Sequence, residues 1–230
     1  GYGRVVTTAV MDLFDIPDIN NETFGELSEK IRESNRPGWY EHVLKEKAKI
    51  EVSLHTTSFP SAKLDRRYFL PVVSFDSFVK ITGRRQISSI EDLTNVDIHC
   101  LNDLLDALAI AFKHEVEYGM VGIKSTLAYY RILQFDKVSK SGAEAVFSQI
   151  FNGTPQGDGL SWKEAKPLQD FMMHQIIKQA IMYDLPIQIH TGILDRRTSE
   201  PYGNIIANSN PTHLTNLFME YRKAKFDIFH

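Results

Sequence analysis

Five short apolar runs, separated by stretches of helical periodicity, constrain this chain more than any other feature. Residues 50–54, 68–75, 119–124, 185–190 and 226–230 read as strands. Pro71 interrupts the second run and cannot donate to a ladder, which makes it the weakest strand of the five. Between the runs, apolar residues recur at three-to-four spacing. Phe24, Leu27 and Ile31, then Trp39, Val43 and Leu44, mark two helices broken at Asn35-Arg-Pro-Gly38. Leu104, Leu105, Leu108, Ala111 and Phe112 line a helix over 101–118, and a shorter helix covers 142–150. A polar loop at 152–159 leads into a long helix over 167–183, with Phe171, Ile176, Ile177 and Ala180 turned inward. Pro211, well suited to a first turn, opens a last helix with Leu214, Leu217, Phe218 and Tyr221 on one face. Such alternation predicts βα units, a parallel sheet and an outer layer of helices.

The class is therefore α/β, with a doubly wound sheet and a (β/α)8 TIM barrel as the competing architectures. An open sheet of the nucleotide-binding kind carries a glycine-rich phosphate loop after its first strand, and neither GxGxxG nor GxxxxGK[ST] occurs. A barrel instead gathers reactive side chains at the C-terminal ends of its strands. With 230 residues but five strands, and with Gly1 where an initiator Met is expected, the chain reads as a single, partial barrel domain spanning 1–230. The first strand and the last two strands of the barrel are then missing from it.

Composition narrows the partners. Lys and Arg number 26 against 29 Asp and Glu, a formal charge of −3, too near neutral for the dense basic surface that nucleic acid requires. No apolar stretch approaches the roughly 20 residues of a membrane span. Cys100 stands alone, which excludes an internal disulfide and fits a reducing, cytoplasmic setting. A small-molecule substrate is the expected partner, with homo-oligomerisation left open.

Three of the apolar runs close on a functional side chain: Lys124 in Val121-Gly-Ile-Lys-Ser125, His190 in Ile187-Gln-Ile-His-Thr-Gly192 and His230 in Phe226-Asp-Ile-Phe-His230. In a parallel barrel these ends converge on one mouth. Two neutral imidazoles there suit a divalent ion of the zinc type, open to water on one side. A strand-terminal histidine is also an ordinary hydrogen-bonded rim residue, so each reading stands beside a plainer one. Arg131, seven residues after Lys124, has the planar fork that grips an anionic substrate or makes a salt bridge. Asn210 and His213 lie in the loop and helix start after the fourth run, as substrate contacts or as turn and cap residues.

These motifs, with Gly122-Ile-Lys-Ser-Thr-Leu-Ala-Tyr-Tyr-Arg131 and Pro37-Gly-Trp-Tyr40, resemble the amidohydrolase superfamily. The likeness is to its amidohydrolase-related (amidohydrolase 2) branch of TIM-barrel metal-dependent hydrolases, which takes in nodulin-like and uronate-isomerase-like proteins. The resemblance implies that His190 ends the fifth barrel strand as a metal ligand. It makes His230 the sixth-strand histidine, which binds a second metal or contacts the nucleophilic water. It sets Lys124 at the fourth-strand position, where some members carry a carboxylated lysine bridging two metals. One or two divalent ions, zinc foremost, are the implied cofactor, and hydrolysis of a C–N or C–O bond is the implied reaction. Decarboxylation and sugar-acid isomerisation belong to the same superfamily. The first-strand His-x-His pair is absent, since no two of the eight histidines stand two residues apart, and no eighth-strand Asp follows His230. Two readings outside metal chemistry remain: a lyase forming a Schiff base on Lys124, and a non-catalytic barrel serving as a binding module.

Overall fold

The strand order β1-β2-β3-β4-β5 follows the chain without a reversal. In this computed structural model, which describes residues 1–153, 159–192 and 206–230, the helices α1 (Tyr2–Phe14) and α2 (Phe24–Ser34) precede the sheet. The strands are β1 (Ser53–Ser58), β2 (Phe69–Ser74), β3 (Gly122–Ser125), β4 (Pro186–His190) and β5 (Lys225–Phe229). Between β2 and β3 lie α3 (Arg84–Thr94) and α4 (Leu101–Glu117), and between β3 and β4 lie α5 (Lys140–Phe151) and α6 (Trp162–Met182). The short α7 (Thr215–Glu220) leads into β5. From β2 onward neighbours pair in parallel. A doubly wound sheet reverses its order at a switch point, so uninterrupted sequential order favours the winding of a barrel.

Alternation along the strands sorts their side chains onto two faces. Val73, Ile123, Ile187 and Ile189 join the main core, together with Leu104, Leu108 and Phe112 of α4 and Leu168, Met172 and Ile176 of α6. Phe112 stacks on Phe75, just past β2, with ring centroids 4.1 Å apart. Fully burying side chains of this size contributes about 1.5–3 kcal/mol each. The residues between them, Gly122, Lys124, Gln188, His190 and Asp227, take the face turned away from the helices, which carries its polar side chains beside Val72, Pro186 and Phe229.

By packing, the chain divides into two units. One comprises Gly1–Ser53 with Asp65–Phe69 and is centred on Val10, Ile16 and Leu27, with Phe14 packed against them. Within it the Tyr68 hydroxyl donates to Glu41 at 2.9 Å. The other comprises Leu54–Leu64 and Leu70–His230 and contains the main core.

Several boundaries differ from the sequence reading. β1 begins three residues later than expected, and Pro71 is accommodated because the β2–β3 ladder opens one residue on, at Val72 and Gly122. α6 starts at Trp162 rather than Pro167, since Ser161 and Glu164 form a capping box: the Ser161 amide donates to the Glu164 carboxylate at 2.9 Å and the Ser161 hydroxyl accepts from the Glu164 amide. The helix expected from Pro211 opens as a 3-10 turn over Pro211–Leu214 and turns α-helical only at Thr215. α1 and α3 were not anticipated. Part of the expected 152–159 loop, residues 154–158, lies outside the described residues. Among the described residues no helix is long and apolar enough to cross a membrane.

Candidate functional site

Lys124, Gln188 and Asp227 stand level on three adjacent strands, fixed there by the register that pairs Lys124 with Gln188 and Gln188 with Asp227. The row is hydrogen-bonded end to end. Lys124 Nζ donates to Gln188 Oε1 at 3.0 Å, and Gln188 Nε2 donates to Asp227 Oδ2 at 2.8 Å. The amide thus lies between a cation and an anion with its oxygen toward the first and its nitrogen toward the second. Lys124 is 5% exposed, and its ammonium also lies 4.0 Å from the centre of the Phe229 ring. Burial lowers its pKa from the ordinary lysine value, opposed by the attraction of Asp227 and of Asp76.

One layer nearer the strand ends stand the two histidines. His190, 7% exposed, closes β4, and His230 follows β5. Their ring centroids are 4.9 Å apart in an edge-to-face arrangement. Tyr129, in the 3-10 turn after β3, lies 4.7 Å from the His190 ring, and Phe229 lies 4.4 Å from the His230 ring. β4 continues through Thr191, whose amide donates to the Phe229 carbonyl at 3.0 Å, into Gly192. Gly192 has φ +67°, a left-handed conformation that glycine adopts without strain, and its amide donates to Ser209 O at 2.9 Å. The strand end that carries His190 is thereby tied to the segment before Pro211.

The structure brings Lys124, His190 and His230 onto one polar face, with Phe229 touching the first and the last. It places Arg131 elsewhere. That guanidinium is 2% exposed and donates to Asp170 at 2.5 Å, to Gln169 at 3.0 Å and to the carbonyls of Gln134 and Ile132 at 3.1 Å each. Asn210 caps the 3-10 turn, its side-chain oxygen accepting from the Thr212 amide at 3.0 Å, and His213 Nε2 lies 2.8 Å from the Ala207 carbonyl.

Three residues at this end of the sheet escaped the sequence reading. Gln188 and Asp227 sit in mid-strand between apolar neighbours, a pattern that reads as ordinary alternation; Gln188 alternates with His190, but the register that sets Asp227 level with Gln188 is visible only in the structure. Asp76, just after β2, is buried, and its carboxylate accepts from the Thr126 amide at 2.7 Å and the Thr126 hydroxyl at 2.9 Å. Burial raises its pKa above the usual carboxylate range. By holding Thr126, Asp76 anchors the turn that carries Tyr129 to His190.

The donor set bears on metal binding. Among the described residues no three His, Cys, Asp or Glu side chains are grouped so as to share an ion. His190 and His230 supply two imidazoles within a few ångströms, which matches half of the shell of a borderline ion with metal–nitrogen bonds of about 2.0–2.1 Å. Lys124 is held as an ammonium donor by Gln188 and by the Phe229 ring.

Sequential parallel strands, helices on one face, and polar side chains at the C-terminal ends on the other define part of a (β/α)8 barrel. Comparison with solved structures agrees. The chain is similar to uronate isomerase from Thermotoga maritima, with 21% identity and a TM-score of 0.72 over 98% of this chain and 54% of that one. It is similar to glucuronate isomerase from Caulobacter crescentus, with 14% identity and a TM-score of 0.70 over 99% and 52%. A candidate metal-dependent hydrolase from Lactobacillus casei matches with 16% identity and a TM-score of 0.61 over 97% and 55%. The chain thus spans about half the length of each of these proteins. No family model and no curated protein matches the sequence.

Proposed function

We propose that this chain forms part of a metal-dependent barrel enzyme that hydrolyses a C–N or C–O bond in a small polar substrate. The observation that carries the reading is the pair of imidazoles, His190 and His230, 4.9 Å apart on adjacent parallel strands above the Lys124–Gln188–Asp227 row. In this reading the two histidines hold a divalent ion, zinc first among those that imidazole suits, and further ligands come from outside the described residues. An ion held there supplies Lewis acidity toward a carbonyl and lowers the pKa of its water toward about 7.

The roles of this chain's own residues follow from their partners. Tyr129 packs on His190 and limits the tilt of its ring. Gln188 fixes Lys124 Nζ, so the ammonium presents a localised positive charge to a substrate oxygen on the polar face. Charge stabilisation of that kind is strongest where water is excluded, and Phe229 covers one side of the ammonium.

A second reading is interconversion of an aldose acid and a ketose acid, favoured by the two isomerases among the similar structures. Lys124 then holds the substrate carboxylate. Incubating the zinc-loaded full-length protein with N-acyl amino acids, lactones and glucuronate, and following products by NMR, separates the two. Release of an acid from the first two classes, lost in Lys124→Met, supports hydrolysis. A ketose formed from glucuronate replaces it with the second reading.

A further inference from the structure

A cleft of about 500 Å³ opens between the loop after β2, the turn after β3 and the start of α6, apart from the histidine pair. Small-molecule sites occupy about 300–1,000 Å³. Its lining combines Lys80, Thr82 and Gln86 with Tyr130, Arg131, Trp162 and Gln169, with no carboxylate among the described residues. Both loops follow the C-terminal ends of parallel strands, where barrels gather binding residues.

The charges in this cleft are unequal in availability. The Arg131 guanidinium is committed to Asp170, Gln169 and two carbonyls. Lys80 differs: its ammonium lies 3.9 Å from the centre of the Tyr130 ring and makes no ion pair among the described residues. Asp76, the acid that interacts electrostatically with Lys80, is outside the lining, and its Oδ2 accepts from both the amide and the hydroxyl of Thr126. The cleft therefore holds one available cation beside the flat surfaces of Tyr130, 37% exposed, and half-buried Trp162. Gln169 is itself buried and gives its amide oxygen to Arg131, which leaves the nitrogen half as a donor.

We propose that this cleft binds a small ring-bearing carboxylate, with the carboxylate on Lys80 and the ring against Tyr130 and Trp162. The cation selects the charge, the two aromatic surfaces select a ring over a compact anion, and the amides of Gln86 and Gln169 serve polar substituents. The site is independent of the metal reading above.

The test is an NMR titration of the 15N-labelled chain in the presence of EDTA, with benzoate, benzamide and inorganic phosphate as probes. The chain has two tryptophans, so the Trp162 indole signal is assigned by its persistence in Trp39→Phe. Benzoate should shift that signal saturably. Benzamide should bind at least tenfold more weakly, Lys80→Met should weaken benzoate by at least tenfold, and Lys80→Arg should recover most of the affinity. Unchanged backbone amide signals from β4 and β5, which belong to the same unit as Lys80, show that the fold survives in Lys80→Met. No saturable shift, equal affinity for benzamide, or undiminished binding by Lys80→Met overturns the proposal. Phosphate shifting Trp162 as tightly as benzoate overturns the requirement for a ring.

Discussion

Arg131 and Lys124 are buried cations seven residues apart, and their surroundings give them opposite characters. Arg131 meets Asp170 directly, and the other Asp170 oxygen accepts from the Asp136 amide at 2.9 Å and from Lys166. Breaking such a pair strands a buried charge, so Arg131→Met should lower stability in urea by about 3–5 kcal/mol, nearer the lower figure because Lys166 still faces Asp170. Lys124 meets a neutral amide, which holds its position while leaving its charge available. Their spacing in sequence suggested a shared anionic partner; what it could not show is that the chain turns after Leu127 and carries Arg131 under α6. Strand-terminal Lys124, His190 and His230 were legible because each ends an apolar run. Gln188 and Asp227 were not, because a polar residue in mid-strand looks the same whether it faces solvent or a site. His174 offers a pH-dependent check. Its Nδ1 lies 2.7 Å from the Tyr221 hydroxyl, and burial lowers its pKa below the ordinary 6.5, partly opposed by the backbone of Asp136 and Phe135 and then by the charges of Asp170 and Glu220. The folded chain then binds fewer protons than the unfolded one, so this contribution to stability is fully present above the ordinary value of 6.5 and is lost progressively as pH falls from there through the lowered folded value. Wild type should lose more stability than His174→Gln between pH 7.5 and about 5.5, measured by urea midpoints.

At the scale of elements, the helix and strand pattern was readable because periodicity reports which face is buried, and all five expected strands are present. Errors fell where a local hydrogen bond outranked the apolar pattern. The long helix was expected from Pro167, but the Ser161–Glu164 box satisfies the terminal amides and starts it five residues earlier, at Trp162. α3 was missed because Ser88, Ser89 and Asp92 dilute a short apolar stripe whose buried members are only Ile87 and Ile90. Ser161→Ala should cost about 1 kcal/mol in thermal or urea unfolding, the usual value of an N-cap. Ser139→Ala, at the cap of α5 where the hydroxyl accepts from Gly142 N at 3.1 Å, gives an internal comparison of similar size.

For the whole molecule, parallel strands in chain order place the ends of β3, β4 and β5 side by side, which brings together Lys124, His190 and His230, spread over more than a hundred positions of sequence. The proposed function requires that two of them, His190 and His230, bind a metal ion. It is tested by zinc titration of the full-length protein, with bound metal counted by mass spectrometry after dialysis, for wild type, His190→Ala, His230→Ala and the double variant. At least one zinc per wild-type chain is expected, with affinity weakened at least tenfold by either single change and the ion lost from the double variant. Zinc retained by the double variant at wild-type stoichiometry and affinity would contradict it.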